Sequence, residues 1–180
     1  MVNRSANPVV VDGQTYAVGD VVMTITTDEN GHASTGSEAL PYGTYEVKES
    51  ATNESMLLTW TGETVTVRQN GHSVAITAVN DVERGGLSLQ KTDTITGTTP
   101  QGDADFSGIT FEIINNSRNP VMVEGQKYQP GEVVKTLVTD SEGKASTADD
   151  LLPYGEYILH ESATNESMLL TAPDQTVLVE

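Results

Sequence analysis

The chain has no cysteine at all. That single absence removes disulfides, thiolate metal sites and cysteine catalysis together. It also raises a question, because small secreted domains usually need a covalent or metal staple to supplement a thin core. Aromatic residues are scarce, with one Trp, two Phe and six Tyr. Cations are scarce too: nine Lys plus Arg stand against 26 Asp plus Glu, a net charge of −17. A surface of that sign repels phosphate backbones and anionic headgroups, so nucleic acid and membrane surfaces are excluded as expected partners. No apolar run approaches the length of a membrane span, and Met1–Ser5 has no signal-peptide character. Either the chain is cytoplasmic, or its export and anchoring signals lie elsewhere.

What is present is a duplication. Asn7-Pro8-Val9 recurs as Asn119-Pro120-Val121, and Leu40-Pro41-Tyr42-Gly43 recurs as Leu152-Pro153-Tyr154-Gly155, both at an offset of 112 residues. Glu49–Thr59, ESATNESMLLT, is repeated letter for letter at Glu161–Thr171. The match runs without a gap from about residue 3 to residue 68. Residues 81–112 have no counterpart upstream and residues 69–80 have none downstream. The chain therefore reads as a window on a longer array. Residues 1–81 are a domain lacking its first strand, 82–85 a short linker, and 86–180 a domain lacking its last strand.

The local pattern is strand after strand. Val9–Val11, Asp20–Thr26, Tyr45–Lys48, Thr64–Arg68 and Ser73–Val79 are short and rich in β-branched residues. Asp12-Gly13, Asn30-Gly31, Asn70-Gly71 and Glu124-Gly125 mark the turns between such runs. No window carries sustained helical periodicity. The fold class expected is all-β, as tandem sandwich domains.

Period-two alternation assigns the inward faces. Val74, Ile76 and Ala78 lead in phase to Asn80; Leu87 and Leu89 lead to Lys91; Tyr45 and Val47 lead to Glu49; Tyr157 and Leu159 lead to Glu161. A lysine, an amide and two acids thus stand at the ends of apolar stripes, where burial without partners costs several kcal/mol. Taken singly, Lys91 is equally a solvated strand-end lysine and Asn80 a turn residue before Asp81.

The runs Leu87-Ser88-Leu89-Gln90-Lys91-Thr92-Asp93, Gly108–Ile113 and Leu152–Tyr157 with Glu161 resemble the Cna B-type, SpaA-pilin-like domains of Gram-positive surface proteins. The most specific part is G-x-Y-x-x-x-E, present as Gly43, Tyr45, Glu49 and again as Gly155, Tyr157, Glu161. The resemblance implies a prealbumin-like sandwich of about seven strands. It also implies an isopeptide bond from a first-strand lysine to a last-strand asparagine, assisted by a buried acid. Carried over, Lys91 is the nucleophile, Asn80 the electrophile, and Glu49 and Glu161 the assisting acids. Desolvation favours the neutral, nucleophilic form of a lysine amine. A bond of this kind would supply the staple that cysteine does not. Lys91 and Asn80 fall in different domains, so no intramolecular bond is expected, and reciprocal strand exchange between chains is a second expectation.

Other features carry less. Leu40-Pro41-Tyr42-Gly43-Thr44 is a turn before a strand, since Glu156 replaces Thr44 in the second copy and no hydrophobic tail follows. His32, His72 and His160 do not repeat, and the acidic turns at Asp28–Gly31 and Asp140–Gly143 lack calcium-loop spacing, so no metal or cofactor is expected. Asn3, Asn53, Asn115 and Asn165 open Asn-x-Ser triplets, relevant to glycosylation only in a eukaryotic secretory route.

The function expected is that of a non-enzymatic stalk or spacer repeat on a cell surface, partnered by neighbouring repeats. The alternative is a module binding host matrix protein or glycan. Its sites would concentrate where the repeats differ, as at Trp60-Thr61-Gly62-Glu63 against Ala172-Pro173-Asp174-Gln175, with Trp60 as the candidate contact.

Overall fold

The computed structural model describes all 180 residues and divides into two units, Met1–Asp81 and Val82–Glu180. Every regular element is a strand, the all-β class expected from short β-branched runs.

In the first unit the strands are β1 (Val2–Asn3), β2 (Val9–Val11), β3 (Gln14–Tyr16), β4 (Gly43–Val47) and β5 (Glu63–Val67). β1, β4 and β5 form an antiparallel sheet in that order, with Tyr45 opposite both Asn3 and Val65. β2 and β3 form a hairpin. Its turn residues Asp12 and Gly13 both take positive φ, 50° and 79°, which matches the right-handed twist of the flanking strands. The core is small: Val9, Val11, Val22 and Tyr45.

The second unit contains β6 (Arg84–Gly85), β7 (Ser88–Gln90), β8 (Thr110–Asn115), β9 (Val121–Val123), β10 (Gln126–Tyr128), β11 (Val133–Val138), β12 (Lys144–Ser146), β13 (Leu152–Pro153), β14 (Gly155–Ala163) and β15 (Gln175–Val179). Its main sheet runs β11-β8-β14-β15. β7 pairs with β12, β6 with β13 and β9 with β10. Leu87, Ile109, Phe111, Ile113, Tyr157 and Leu159 meet in one buried cluster. Strict alternation in β8 and β14 turns Phe111, Ile113 and Asn115 inward from one, and Tyr157, Leu159 and Glu161 from the other.

Three expectations from the sequence are corrected. Asp20–Thr26 is not a strand and holds only the single bridge Val2 to Val21. Its counterpart Val133–Val138 pairs along β8. Ser73–Val79 is not a strand either, and Val74 and Val79 are exposed. A strand is defined by its neighbour, and no segment pairs with Ser73–Val79. Finally, residues 84–85 are not linker: β6 is laced to β13, and the Tyr154 amide donates to the Glu83 carbonyl at 2.7 Å.

Candidate functional site

Alternation along Leu87–Lys91 brings the lysine inside. Leu87 is buried, Ser88 and Gln90 face out, and Lys91 is again buried at 9% exposure. Its backbone amide donates to the Gly143 carbonyl at 2.7 Å, which extends the β7–β12 pairing by one residue. The Lys91 Nζ donates to both carboxylate oxygens of Glu161, each at 2.9 Å. Glu161 is 3% exposed and lies opposite Phe111 across the β8–β14 ladder. This is a buried, two-point ion pair, with Phe111 facing Glu161 across the ladder. Charge-assisted bonds of this geometry are about twice as strong as neutral ones. Removing either partner leaves the other charge stranded.

The first unit holds the complementary arrangement. Asn80 Nδ2 donates to Glu49 Oε2 at 2.6 Å, and Asn80 Oδ1 accepts from the Trp60 backbone amide at 3.0 Å. Both side chains are half-buried. The chain segment is held in place on either side: the Leu57 amide donates to the Asp81 carbonyl at 2.8 Å, and the Asp81 amide to Thr59 Oγ1 at 3.4 Å. The Asn80 carboxamide is thus gripped at both ends, by an acid at its nitrogen and an N–H at its oxygen. Such an N–H is the donor that a negative charge developing on that oxygen requires. Glu49 makes no ion pair, unlike its counterpart Glu161.

Four predicted residues therefore form two pairs. Lys91 meets Glu161, Asn80 meets Glu49, and the pairs lie in different units. Trp60 contributes its backbone amide to the second pair, and the residue is half-buried. His160 lies apart, with Nδ1 2.6 Å from Asp174 on the exposed side of β14. That hydrogen bond to the carboxylate raises the His160 pKa above its ordinary value.

Sequence reasoning missed a second buried amide. Asn3 and Asn115 are fully buried, and Asn115 is in phase with the inward residues of its strand. Asn115 Nδ2 donates to the Asn119 and Tyr128 carbonyls, both at 3.2 Å, and its Oδ1 accepts from the Ser117 amide at 2.9 Å. Asn3 repeats this with Asn7, Tyr16 and Ser5. The signal was available: Asn115 follows Phe111 and Ile113 at period two, and its place in a triplet drew attention to the wrong chemistry. The duplicated tyrosines are likewise paired. Tyr45 donates its hydroxyl to the Pro41 carbonyl at 2.9 Å and Tyr157 to that of Pro153 at 2.8 Å. Burial pushes the Tyr157 hydroxyl up to about 12.

A family model described as the SpaA prealbumin-like fold domain matches residues 8–82 and again 85–180. The chain belongs to this family. Each unit is one copy of the family's domain, and the architecture is that of tandem β-sandwich domains. A comparison with curated protein sequences found no match. Among solved structures, the Bacillus anthracis TIE protein aligns over 100% of this chain and 28% of its own, with a TM-score of 0.54 and 20% identity. A streptococcal ancillary pilin aligns over 99% of this chain and 52% of its own, with a TM-score of 0.42 and 21% identity. The chain thus spans about a quarter and about half of those proteins, and the first of them supports the fold alone.

Proposed function

We propose that this chain is a structural stalk segment of a Gram-positive cell-surface protein, outside the cell, and that its two pairs are separated halves of an isopeptide-forming site. The observation that carries this reading is the duplicated acid. Glu49 and Glu161 occupy the same place in the repeat, yet one holds an amide and the other an amine. An acid placed between a lysine and an asparagine can take a proton from the amine and return one to the leaving group. Lys Nζ would attack Asn Cγ, the Cγ–Nδ2 bond would break, and ammonia would leave. The Trp60 N–H would stabilise the oxyanion in the first unit.

A domain of this kind resists extension because a covalent tie between its first and last strands replaces the disulfide it does not have. The near-identical repeats fit a role in which units are interchangeable and reach is the selected property. The test is to delete residues 86–180 from the parent protein on its own cell. A shorter reach of the distal region, with its ligand specificity unchanged, supports the stalk. Loss of specific ligand binding would show that the repeat is itself the binding module.

A further inference from the structure

The tripeptide Asn-Gly-His occurs twice, as Asn30–His32 and as Asn70–His72, and the 112-residue repeat does not relate the two copies. Both Asn-Gly pairs are exposed, and Gly31 and Gly71 take similar positive φ, 77° and 68°. A Cβ on either glycine would meet nothing within 4 Å, so space is open at both. Hydrogen bonding separates them. At Asn30–His32 the chain is tied to Asp28 through both its backbone and its side chain. The Gly31 amide donates to the Asp28 carbonyl at 3.0 Å, and the Asp28 amide donates to the His32 carbonyl at 2.8 Å. Asp28 Oδ1 accepts from the Asn30 and His32 amides, each at 2.9 Å. Those backbone bonds also hold the Asp28 carboxyl below its ordinary range, which keeps it anionic beside the turn. At Asn70–His72 a single long bond closes the turn, from the His72 amide to the Gln69 carbonyl at 3.4 Å. The Gly71 amide donates to no group, and the Asn70 carboxamide has no partner.

The structure assigns Asn70 as a site of self-modification, where the chain exchanges an amide for a carboxylate without an enzyme, while Asn30 is held unreactive. The Gly71 nitrogen gives up its proton to solvent base and attacks Asn70 Cγ. The N–Cγ bond forms, the Cγ–Nδ2 bond breaks, and Nδ2 leaves as ammonia, closing a succinimide ring. Water then opens the ring at either carbonyl. Opening at Cγ leaves aspartate; opening at the backbone carbonyl leaves isoaspartate, with the chain running through Cγ. Glycine admits this attack because it has no Cβ to crowd the approach of its nitrogen. At Asn30 the same attack would first break the bond from Gly31 to Asp28, and would then form an anionic nitrogen beside a carboxylate. Each event at Asn70 adds a negative charge to a chain already at −17. Isoaspartate also lengthens the backbone of the turn that follows β5. The inference uses neither the stalk reading nor the isopeptide reading. The ring stage is one ammonia lighter than the sequence, as an isopeptide-linked chain is, but hydroxylamine opens an imide and leaves an amide intact.

The experiment ages the full folded chain in mildly alkaline buffer and follows both tripeptides by peptide mapping, with isoaspartate read by enzymatic methylation. Asn70 should convert at least about fivefold faster than Asn30, the factor that one net hydrogen bond represents. The rate at Asn70 should rise with pH, and hydroxylamine added during ageing should cut the chain between Asn70 and Gly71. Gly71→Ala should slow the conversion at Asn70 and leave Asn30 as it was. Asp28→Ala should raise the rate at Asn30 toward that at Asn70. In denaturant the two identical tripeptides should react at nearly equal rates, which shows that the fold, and not the local sequence, separates them. Equal rates in the folded chain overturn the proposal, as does faster conversion of Asn30. So does an Asn70 that survives in the folded chain for as long as the denatured chain takes to convert. A preference for Asn70 that persists unchanged in denaturant would also refute it, because the hydrogen bonds would then have no part.

Discussion

Replacing Glu161 by Gln keeps the shape of the side chain and removes its charge, leaving the Lys91 ammonium in a site that admits 9% exposure. Breaking a buried pair from one side costs about 3–5 kcal/mol. For a unit of roughly 100 residues, each kcal/mol lowers the melting temperature by about 4–8 °C. The second unit of Glu161→Gln should therefore melt at least ~10 °C lower by calorimetry, while the first unit, which shares no bond with this pair, melts as before. Lys91→Met should cost a similar amount, because it strands the carboxylate instead. The double variant Lys91→Met/Glu161→Leu should come within ~1–2 kcal/mol of the parent chain, since apolar replacement of a buried pair is often neutral or better. A single-variant shift below ~4 °C, or a double variant as unstable as the two singles added, would refute this reasoning.

Asn115→Ala removes three hydrogen bonds made by a fully buried side chain, so urea denaturation should show a loss of about 2–4 kcal/mol in the second unit. Tyr157 titrates higher in the folded unit than in the unfolded chain. Its contribution is therefore complete below about pH 10 and lost as pH rises toward about 12; Tyr157→Phe should flatten that part of the stability profile measured by circular dichroism. Asp174→Asn should lower the His160 midpoint read by NMR titration, because the carboxylate bond is what raises it. The intact mass of the chain as it stands should equal that of its sequence, with no ammonia lost, because Lys91 and Asn80 sit in separate units.

The fold was legible because the repeat is. Both copies carry short β-branched runs between turn residues with no sustained helical periodicity, and period-two alternation placed Lys91 and Glu161 inward by itself. The half-burial of Glu49 was not legible, since the same eleven letters surround Glu161, which is buried. The difference arises from residues distant in sequence: in the second unit Phe111 lies opposite Glu161 and Lys91 binds it, whereas in the first unit Glu49 meets Asn80. Ser73–Val79 likewise has the composition of a strand but pairs with no segment of the chain. Identical ATNES segments diverge for this reason too. Asn165 and Ser167 bind the Asp105 and Ser107 carbonyls, while Asn53 and Ser55 bond only to each other and to their own turn. Local propensity is read from a window, whereas burial and strand identity belong to whatever packs against it.

The central claim is that Lys91–Glu161 and Asn80–Glu49 are complementary halves of one kind of reactive site, each incomplete in its own unit. It is tested most directly by completing the second unit: a copy of residues 69–81 is appended after Glu180, which supplies an asparagine at the place matching Asn80. Denaturing mass spectrometry of that extended chain should give one ammonia less than its sequence, with the deficit abolished by Lys91→Ala. An extended chain that folds and carries its full sequence mass would contradict the account.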